Sequence, residues 1–243
     1  VCTEVLAGNS AEGIFELCYD DSRGEYKDFG SYIGGTVEKW PVLKGTTPAS
    51  RRKFFIRNGT VERLYTPEDL RLQAYFADFF RMKEEPVSVT QGAAYVRMWR
   101  EVEYYSGGIY DGTPRTLLAN DILIRLPDIL LLRAEMKAAT GDREGAVADL
   151  DVVRRRAGVA GYSEAEGDLR RAIQLERDRE LLFQTGVRYF DYMRNHTYNL
   201  LKGGFRDLTE TDVAAGALFL PVSLDAMNNN PKVKQTAYWV GKF

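Results

Sequence analysis

The sequence is poor in the residues that carry metal and thiol chemistry, with two cysteines, Cys2 and Cys18, and one histidine, His196, in 243 residues. Two cysteines make no disulfide framework for a chain this long; a single bridge between them stays open, and with it the redox compartment. One histidine and no C-x-x-C pair leave a conventional zinc site short of ligands. A Ser-His-Asp or Cys-His mechanism would rest on His196 alone, and that residue reads better as a polar position after a helix. An excess of one charge is also missing. The 33 Lys plus Arg against 35 Asp plus Glu give a formal net charge of −2, which excludes the clustered positive field of a dedicated nucleic-acid binder. The longest apolar run, Ala214 to Val222, contains Gly216 and Pro221 and is far below the roughly 18 residues of a membrane-spanning helix. Val1 opens the sequence with no basic n-region or apolar h-region, so no signal peptide is visible and the start reads as a cut end.

What remains is 44% hydrophobic and 28% charged, the composition of a globular chain rather than a disordered one, long enough for one or two domains. Glu12 to Tyr19 alternates Ile14, Glu16 and Cys18 against Phe15, Leu17 and Tyr19, which predicts a half-buried strand. Asp20 to Gly35, rich in Gly and Tyr, has no helical period and reads as loop. Lys53 to Arg57, Asn58-Gly59 and Thr60 to Tyr65 read as a β-hairpin, because Asn-Gly suits the positive-φ positions of a type I′ turn. Thr66-Pro67-Glu68-Asp69 then starts a helix, with Thr66 as cap and Pro67 in the first turn.

Leu117 to Phe190 predicts three helices. The first begins near Pro127, where a missing N–H costs nothing, and runs to Thr140, with Gly141 as a left-handed stop. Asp142 caps the second, which places Ala146, Leu150 and Val153 on one face and ends at Arg154-Arg155-Arg156 before Gly158. The third follows the capping-box pattern Ser163-x-x-Glu166 and reaches about Thr185. Ala134, Gly141, Ala146 and Leu150 stand at spacings of 7, 5 and 4, matching the small and apolar positions of a tetratricopeptide-type hairpin. A lone repeat cannot bury its own faces, so neighbouring repeats are missing or the hairpin docks on something else.

On the third helix Leu169, Ile173, Glu176, Glu180 and Phe183 form one stripe with two carboxylates inside it. Paired acids suit general acid–base work if their environments drive their pKa values apart. Alternatively they are neutralised by arginines such as Arg177, Arg179 and Arg188 in a buried network, the reading better supported by the abundance of Arg within reach. Arg154, Arg155 and Arg156 read as a solvated face that offsets the negative helix end rather than as a phosphate site.

Three blocks resemble a known family, the SusD/RagB outer-membrane nutrient-binding lipoproteins. Asp128 to Gly158 looks like the family's L-L-x-x-A-E helix, Gly turn and second helix ending near R-x-R-A-G. Glu176 to Arg194, E-R-D-R-E-L-L-F-Q-T-G-V-R-Y-F-D-Y-M-R, resembles its E-R-x-x-E-L-x-x-E-G-x-R-x-x-D-x-x-R signature, with Thr185 where an acid usually stands. Leu220-Pro221-Val222, Asn230-Pro231 and Gln235 are similar to its closing P-I-P, N-P and Q-N pattern, and E-G-I-F-E-L near the start fits as well. The resemblance implies a mainly α, SusD-like fold: the tetratricopeptide-type hairpin plus an irregular, loop-rich region with a short β-hairpin. It treats 1–243 as one C-terminal region, with 1–116 carrying strand, hairpin and candidate ligand loops, 117–194 the helical scaffold and 195–243 the tail.

The resemblance further implies non-enzymatic capture of glycans at the outer face of a Gram-negative outer membrane, for delivery to a TonB-dependent SusC-like transporter. A structural subunit of the transporter complex and a glycoside hydrolase using Glu176 and Glu180 are the alternatives. No cofactor and no nucleic-acid partner is implied, and membrane attachment would run only through a lipid anchor. Cys2 lacks a preceding lipobox and reads as internal, and the resemblance implies that the chain is the C-terminal half of a longer lipoprotein. Sugar recognition combines aromatic platforms with a few polar groups, so the candidate ligand-binding residues are Tyr26, Tyr32 and Trp40 before the predicted hairpin, and Tyr104, Tyr105 and Tyr110 around Gly107-Gly108. Trp99 and Trp239 sit beside apolar or scaffold segments and read as core.

Overall fold

Apolar residues at helical spacing organise most of the described chain, and among the described residues the strands form short two-stranded ribbons. The computed structural model describes residues 5–6, 8–18, 56–76, 78–84, 92–94, 96, 98, 102–104, 114–117, 120–184, 187–200 and 207–242. In chain order the first elements are β1 (Gly13–Leu17), β2 (Ile56–Arg57), α1 (Asn58–Leu64), α2 (Leu70–Tyr75) and α3 (Phe79–Glu84). Then come β3 (Ala93–Ala94), β4 (Val102–Tyr104), β5 (Pro114–Leu117), β6 (Asp121–Arg125), α4 (Leu126–Thr140), α5 (Arg143–Arg156) and α6 (Leu169–Glu180). The last are α7 (Val187–Arg194), α8 (Glu210–Ala214) and α9 (Leu224–Asn229). All the ribbons are antiparallel: β1 with β6, β2 with β3, β4 with β5. The described architecture is mainly α with a short hairpin, as the family resemblance implies.

The hairpin does not lie where Asn58-Gly59 predicts it. Those residues open α1, while β2 pairs with β3 instead of turning back on Thr60 to Tyr65. Val61, Leu64 and Tyr65, at i, i+3 and i+4, are all buried, and that helical stripe outweighs the turn preference of Asn-Gly. The sequentially adjacent antiparallel pair is β4 and β5. The next helix also starts later than Thr66: Asp69 is its cap, its carboxylate accepting from the Arg71 amide at 2.9 Å. In β1, Ile14, Phe15 and Leu17 are exposed. The strand forms, but with β6 as its one partner among the described residues and a register shift on each side of Phe15, it covers little apolar surface.

Around α1 and α2 a core of Val61, Leu64, Leu72, Tyr75, Phe76 and Met98 closes, with Leu182 reaching into it from beyond α6. The tyrosine hydroxyls at its edge find backbone acceptors: Tyr65 donates to Arg179 O at 2.7 Å and Tyr75 to Glu180 O at 3.3 Å. A second core joins α4, α5 and α6 through Leu131, Ala134, Ala146, Leu150, Val153 and Ile173. Ala134 and Ala146 have no exposed surface, so the two helices approach closely there, and each larger side chain, Leu131, Leu150 or Ile173, adds about 1.5–3 kcal/mol by leaving water. Gly141 ends α4 at φ +91°, and Asp142 caps α5 by accepting from the Gly145 amide at 2.9 Å.

The third predicted helix is shorter than its sequence pattern suggests. Ser163 and Glu166 do form a capping box, but it closes the 3₁₀ turn Glu164–Glu166; α6 itself starts at Leu169 with Asp168 as cap. The helix stops at Glu180, and Phe183 adopts a left-handed φ of +59° instead of continuing to Thr185. The apolar run Leu181-Leu182-Phe183 gives no sign of this end, and Leu182 and Phe183 serve the first core rather than the hairpin.

The chain forms two compact units, Val1–Thr185 and Gly186–Phe243. Within the second, Thr209 and Asp212 make a capping box at α8 and Ser223 caps α9. Gln235 closes the tail on itself: its Oε1 accepts from the Val222 amide and its Nε2 donates to the Val222 carbonyl, both at 3.0 Å. The side-chain amide thus substitutes for a strand partner.

Candidate functional site

The acids singled out in the sequence, Glu176 and Glu180, lie one turn apart on α6 and both have 0% exposure. Glu176 Oε1 accepts from Arg71 Nη1 at 2.6 Å, and Oε2 accepts from Arg179 Nη1 at 3.1 Å with Arg154 Nε 3.4 Å away. Glu180 Oε1 accepts from Arg125 Nη1 at 2.6 Å and from Arg156, while Oε2 accepts from Arg71 Nη1 at 3.1 Å. Arg71 therefore bridges the two acids. Its own remaining nitrogens are gripped by Asp69, at 2.9 Å from Nε and 2.8 Å from Nη2. Arg156 Nη1 also reaches Glu12 at 2.6 and 2.7 Å, and Arg125 Nη2 donates to the Glu180 carbonyl at 2.6 Å.

The network sets Arg71, Arg125, Arg154, Arg156 and Arg179 against Glu12, Asp69, Glu166, Glu176 and Glu180, so its charges balance. It ties α2, β6, α5 and the turn before β1 to one helix face. Burial pushes the Glu180 carboxyl up, but Arg125, Arg156 and Arg71 outweigh burial and hold it down at about 2. A general acid needs the opposite displacement, toward neutral pH, and access to its substrate. Glu180 is ionised, enclosed and fully hydrogen-bonded, which is the chemistry of a strut rather than of a proton donor.

Of the partners expected for these acids, Arg179 is present. Arg177 instead holds Asp128 of α4, with Nη2 at 2.7 Å from Oδ1, and Arg188 lies over the Tyr192 ring, 5.3 Å from its centroid. The arginines that the sequence reading missed, Arg71 and Arg125, stand 105 and 55 residues away along the chain, where no local pattern announces them. The Arg154–Arg156 run needs a correction. Arg155 is exposed, but Arg154 is buried, forking onto Glu166 at 2.8 and 2.9 Å, and Arg156 joins the network. The last turn of α5 faces α6, so helical spacing turns two of three neighbouring arginines inward.

The candidate ligand residues Tyr26, Tyr32, Trp40, Tyr105 and Tyr110 lie outside the described residues, as does Trp99. The Tyr104 backbone is in β4, opposite Pro114, rather than in a loop. Trp239 is half-buried and not core: its Nε1 donates to Phe219 O at 2.7 Å and its ring meets Tyr238 edge-on at 4.8 Å. Phe190 and Phe219 are exposed rings of the same unit that the sequence did not single out. His196 follows α7 as an exposed residue at φ +53°, and Cys18 is a free, exposed thiol. Among the described residues no group of three or more His, Cys, Asp or Glu is placed to hold a metal ion. No described helix is long and apolar enough to cross a membrane.

This architecture recurs in solved structures. A SusD homologue from Bacteroides thetaiotaomicron VPI-5482 matches with a TM-score of 0.76 and 25% identity, over 97% of this chain and 48% of that one. Surface glycan-binding protein A from Bacteroides thetaiotaomicron, solved in complex with laminarihexaose, matches with a TM-score of 0.65 and 20% identity, over 96% of this chain and 54% of that one. NanU from B. fragilis gives 0.61 and 20%, over 97% and 53%. The chain thus spans about half the length of these solved relatives. No curated protein sequence matches it. The SusD family model matches residues 11–239, a span that holds the second core, most of the first, the buried ion network and the closing Gln235 clasp, and the chain belongs to the SusD family.

Proposed function

We propose that the protein captures glycans at the cell surface without cleaving them and passes them to a TonB-dependent transporter of the SusC type. The observation that carries this reading is membership of the SusD family over residues 11–239, together with the laminarihexaose held by a relative of the same fold. The state of Glu176 and Glu180 supports capture over hydrolysis, since both acids are spent on arginines inside the scaffold. Attachment to the outer membrane through a lipid anchor belongs to the same reading. So does an aromatic platform drawn from Tyr26, Tyr32, Trp40, Tyr104, Tyr105 and Tyr110, whose rings would pack on the C–H faces of sugars.

Isothermal titration of the full-length protein against a panel of oligosaccharides tests the proposal. The expected result is micromolar-to-millimolar binding of at least one glycan, no release of smaller sugars on long incubation, and at least about fivefold weaker binding in Trp40→Ala or Tyr110→Ala, the loss of one stacking ring. Silence across the panel, with the transporter still co-purifying, would replace capture by a structural role in the complex.

A further inference from the structure

Beside the ion network, a cleft of about 410 Å³ opens between the turn leading into α2 and the chain that leaves α5. That volume lies in the lower part of the roughly 300–1,000 Å³ range of small-molecule sites. One wall is apolar, built from Leu64, Gly158, Val159 and Ala160; Thr66, Glu68, Arg154 and Arg179 supply polar groups. We propose that this cleft binds a neutral polyhydroxylated ligand, a single pyranose unit, as a site separate from the aromatic candidates. The proposal rests on the reading of the protein as a glycan binder.

The polar groups choose the ligand class. Both terminal nitrogens of Arg154 are taken by Glu166, and Arg179 is committed to the Leu64 carbonyl and Glu176, so no open guanidinium fork awaits an anion. Asp69 and Glu166 are neutralised by Arg71 and Arg154, and Glu68, with no cation paired to it among the described residues, adds negative charge at the same opening and repels one. An amine would meet the Glu68 carboxylate, but within the same lining it would face the cations of Arg154 and Arg179. An apolar ligand would take water from polar groups of the lining and give nothing back: the Thr66 hydroxyl and the Glu68 carboxylate, both on exposed residues, have no hydrogen-bond partner among the described residues. Vicinal hydroxyls answer both needs, donating to Glu68 and accepting from Thr66, while a C–H face lies on Val159 and Ala160. Each hydroxyl can do both at once, which neither an ion nor a hydrocarbon can.

The test uses the intact protein and two variants outside the ion network, Ala160→Trp, which fills the cleft, and Glu68→Ala, which removes its free acceptor. Saturation-transfer NMR against neutral hexoses, pentoses and disaccharides, with sulfate and a primary amine as chemical controls, should show a neutral sugar bound to the native protein. Its affinity should fall about tenfold or more in each variant, the loss of one charge-assisted hydrogen bond or of the space itself, with circular dichroism unchanged. Glycan binding that survives intact in both folded variants overturns the cleft and leaves glycan capture standing. Sulfate or amine binding that is lost in the variants, with no sugar doing the same, overturns the ligand class. A native protein that binds none of these small sugars but binds an oligosaccharide in the calorimetric panel overturns the cleft alone, whereas silence in both experiments sinks the reading beneath it as well.

Discussion

Glu180→Gln removes the charge at the centre of the buried network while keeping the shape of the side chain. Three guanidinium groups, those of Arg71, Arg125 and Arg156, then share a site that has lost its carboxylate. Breaking one partner out of a buried ion cluster costs about 3–5 kcal/mol, because the remaining charges stay desolvated and unpaired. The depressed Glu180 carboxyl points to a cost of the same order. It sits at about 2 against an ordinary 4.5, and at roughly 1.4 kcal/mol per pH unit the native charges favour the ionised form by about 3 kcal/mol. Folding stability is about 5–15 kcal/mol in total, so the variant loses a large share of it. Urea unfolding at pH 7, followed by circular dichroism, measures the difference directly.

The sign of the pH dependence follows from the direction of the shift. A carboxyl depressed in the folded state contributes its full stability above the unfolded value near 4.5 and loses it as pH falls toward about 2. Glu180→Gln has no such contribution to lose, so the gap between native and variant protein narrows across that window. A variant within about 1 kcal/mol of the native protein at pH 7, or a gap that stays constant from pH 5 to pH 2, refutes the assignment of Glu180 as an ionised strut. A folded, equally stable variant that had lost a glycan-cleaving activity would refute it in favour of catalysis.

Two glycines that adopt left-handed φ separate backbone strain from packing. Gly141→Ala, at φ +91° with open space where a Cβ would go, should cost about 1 kcal/mol in urea unfolding, whereas Gly158→Ala, at φ +73° with its Cβ 2.9 Å from Leu70 Cγ, should cost roughly 1–3 kcal/mol more. Equal losses would mean that Leu70 moves aside freely. Asp142→Ala removes the cap that holds the Gly145 amide and should lower stability by about 1 kcal/mol with no change in the denaturant slope, read from the same experiment.

The α4–α5 hairpin is legible in the sequence because its determinants are local. Pro127, Gly141, Asp142 and the spacing of Ala134, Ala146 and Leu150 each fix a start, a stop or a contact within a few residues. The same logic fails at Asn58-Gly59, where a strong turn dipeptide sits inside a helical stripe whose burial depends on β3 and α2. It fails again at the end of α6, where Leu182 and Phe183 continue the apolar pattern but turn away toward the first core. Two carboxylates inside an apolar stripe signal a buried network, and Arg179, three residues from Glu176, is near enough to be read as a partner. Arg71, Arg125 and Arg156 are not, because pairing across the fold leaves no periodic trace. Local chemistry alone makes Arg154-Arg155-Arg156 a solvated run, and only the packing of α5 on α6 splits it into two inward cations and one outward.

The ion network also bears on the order in which the first unit assembles. Arg133 and Asp149, partners across the helical hairpin, are 16 residues apart, whereas Arg71 and Glu176 are separated by 105 and Arg156 and Glu12 by 144. Closing the long connections costs chain entropy before any ion pair forms, so the hairpin can form early and the charges come together late. Interactions that form after the folding barrier act chiefly on the rate of escape from the native state. On this reasoning the buried arginines govern how long the unit stays folded more than how fast it folds, and the loss in Glu180→Gln should fall mainly on the unfolding arm of its kinetic chevron.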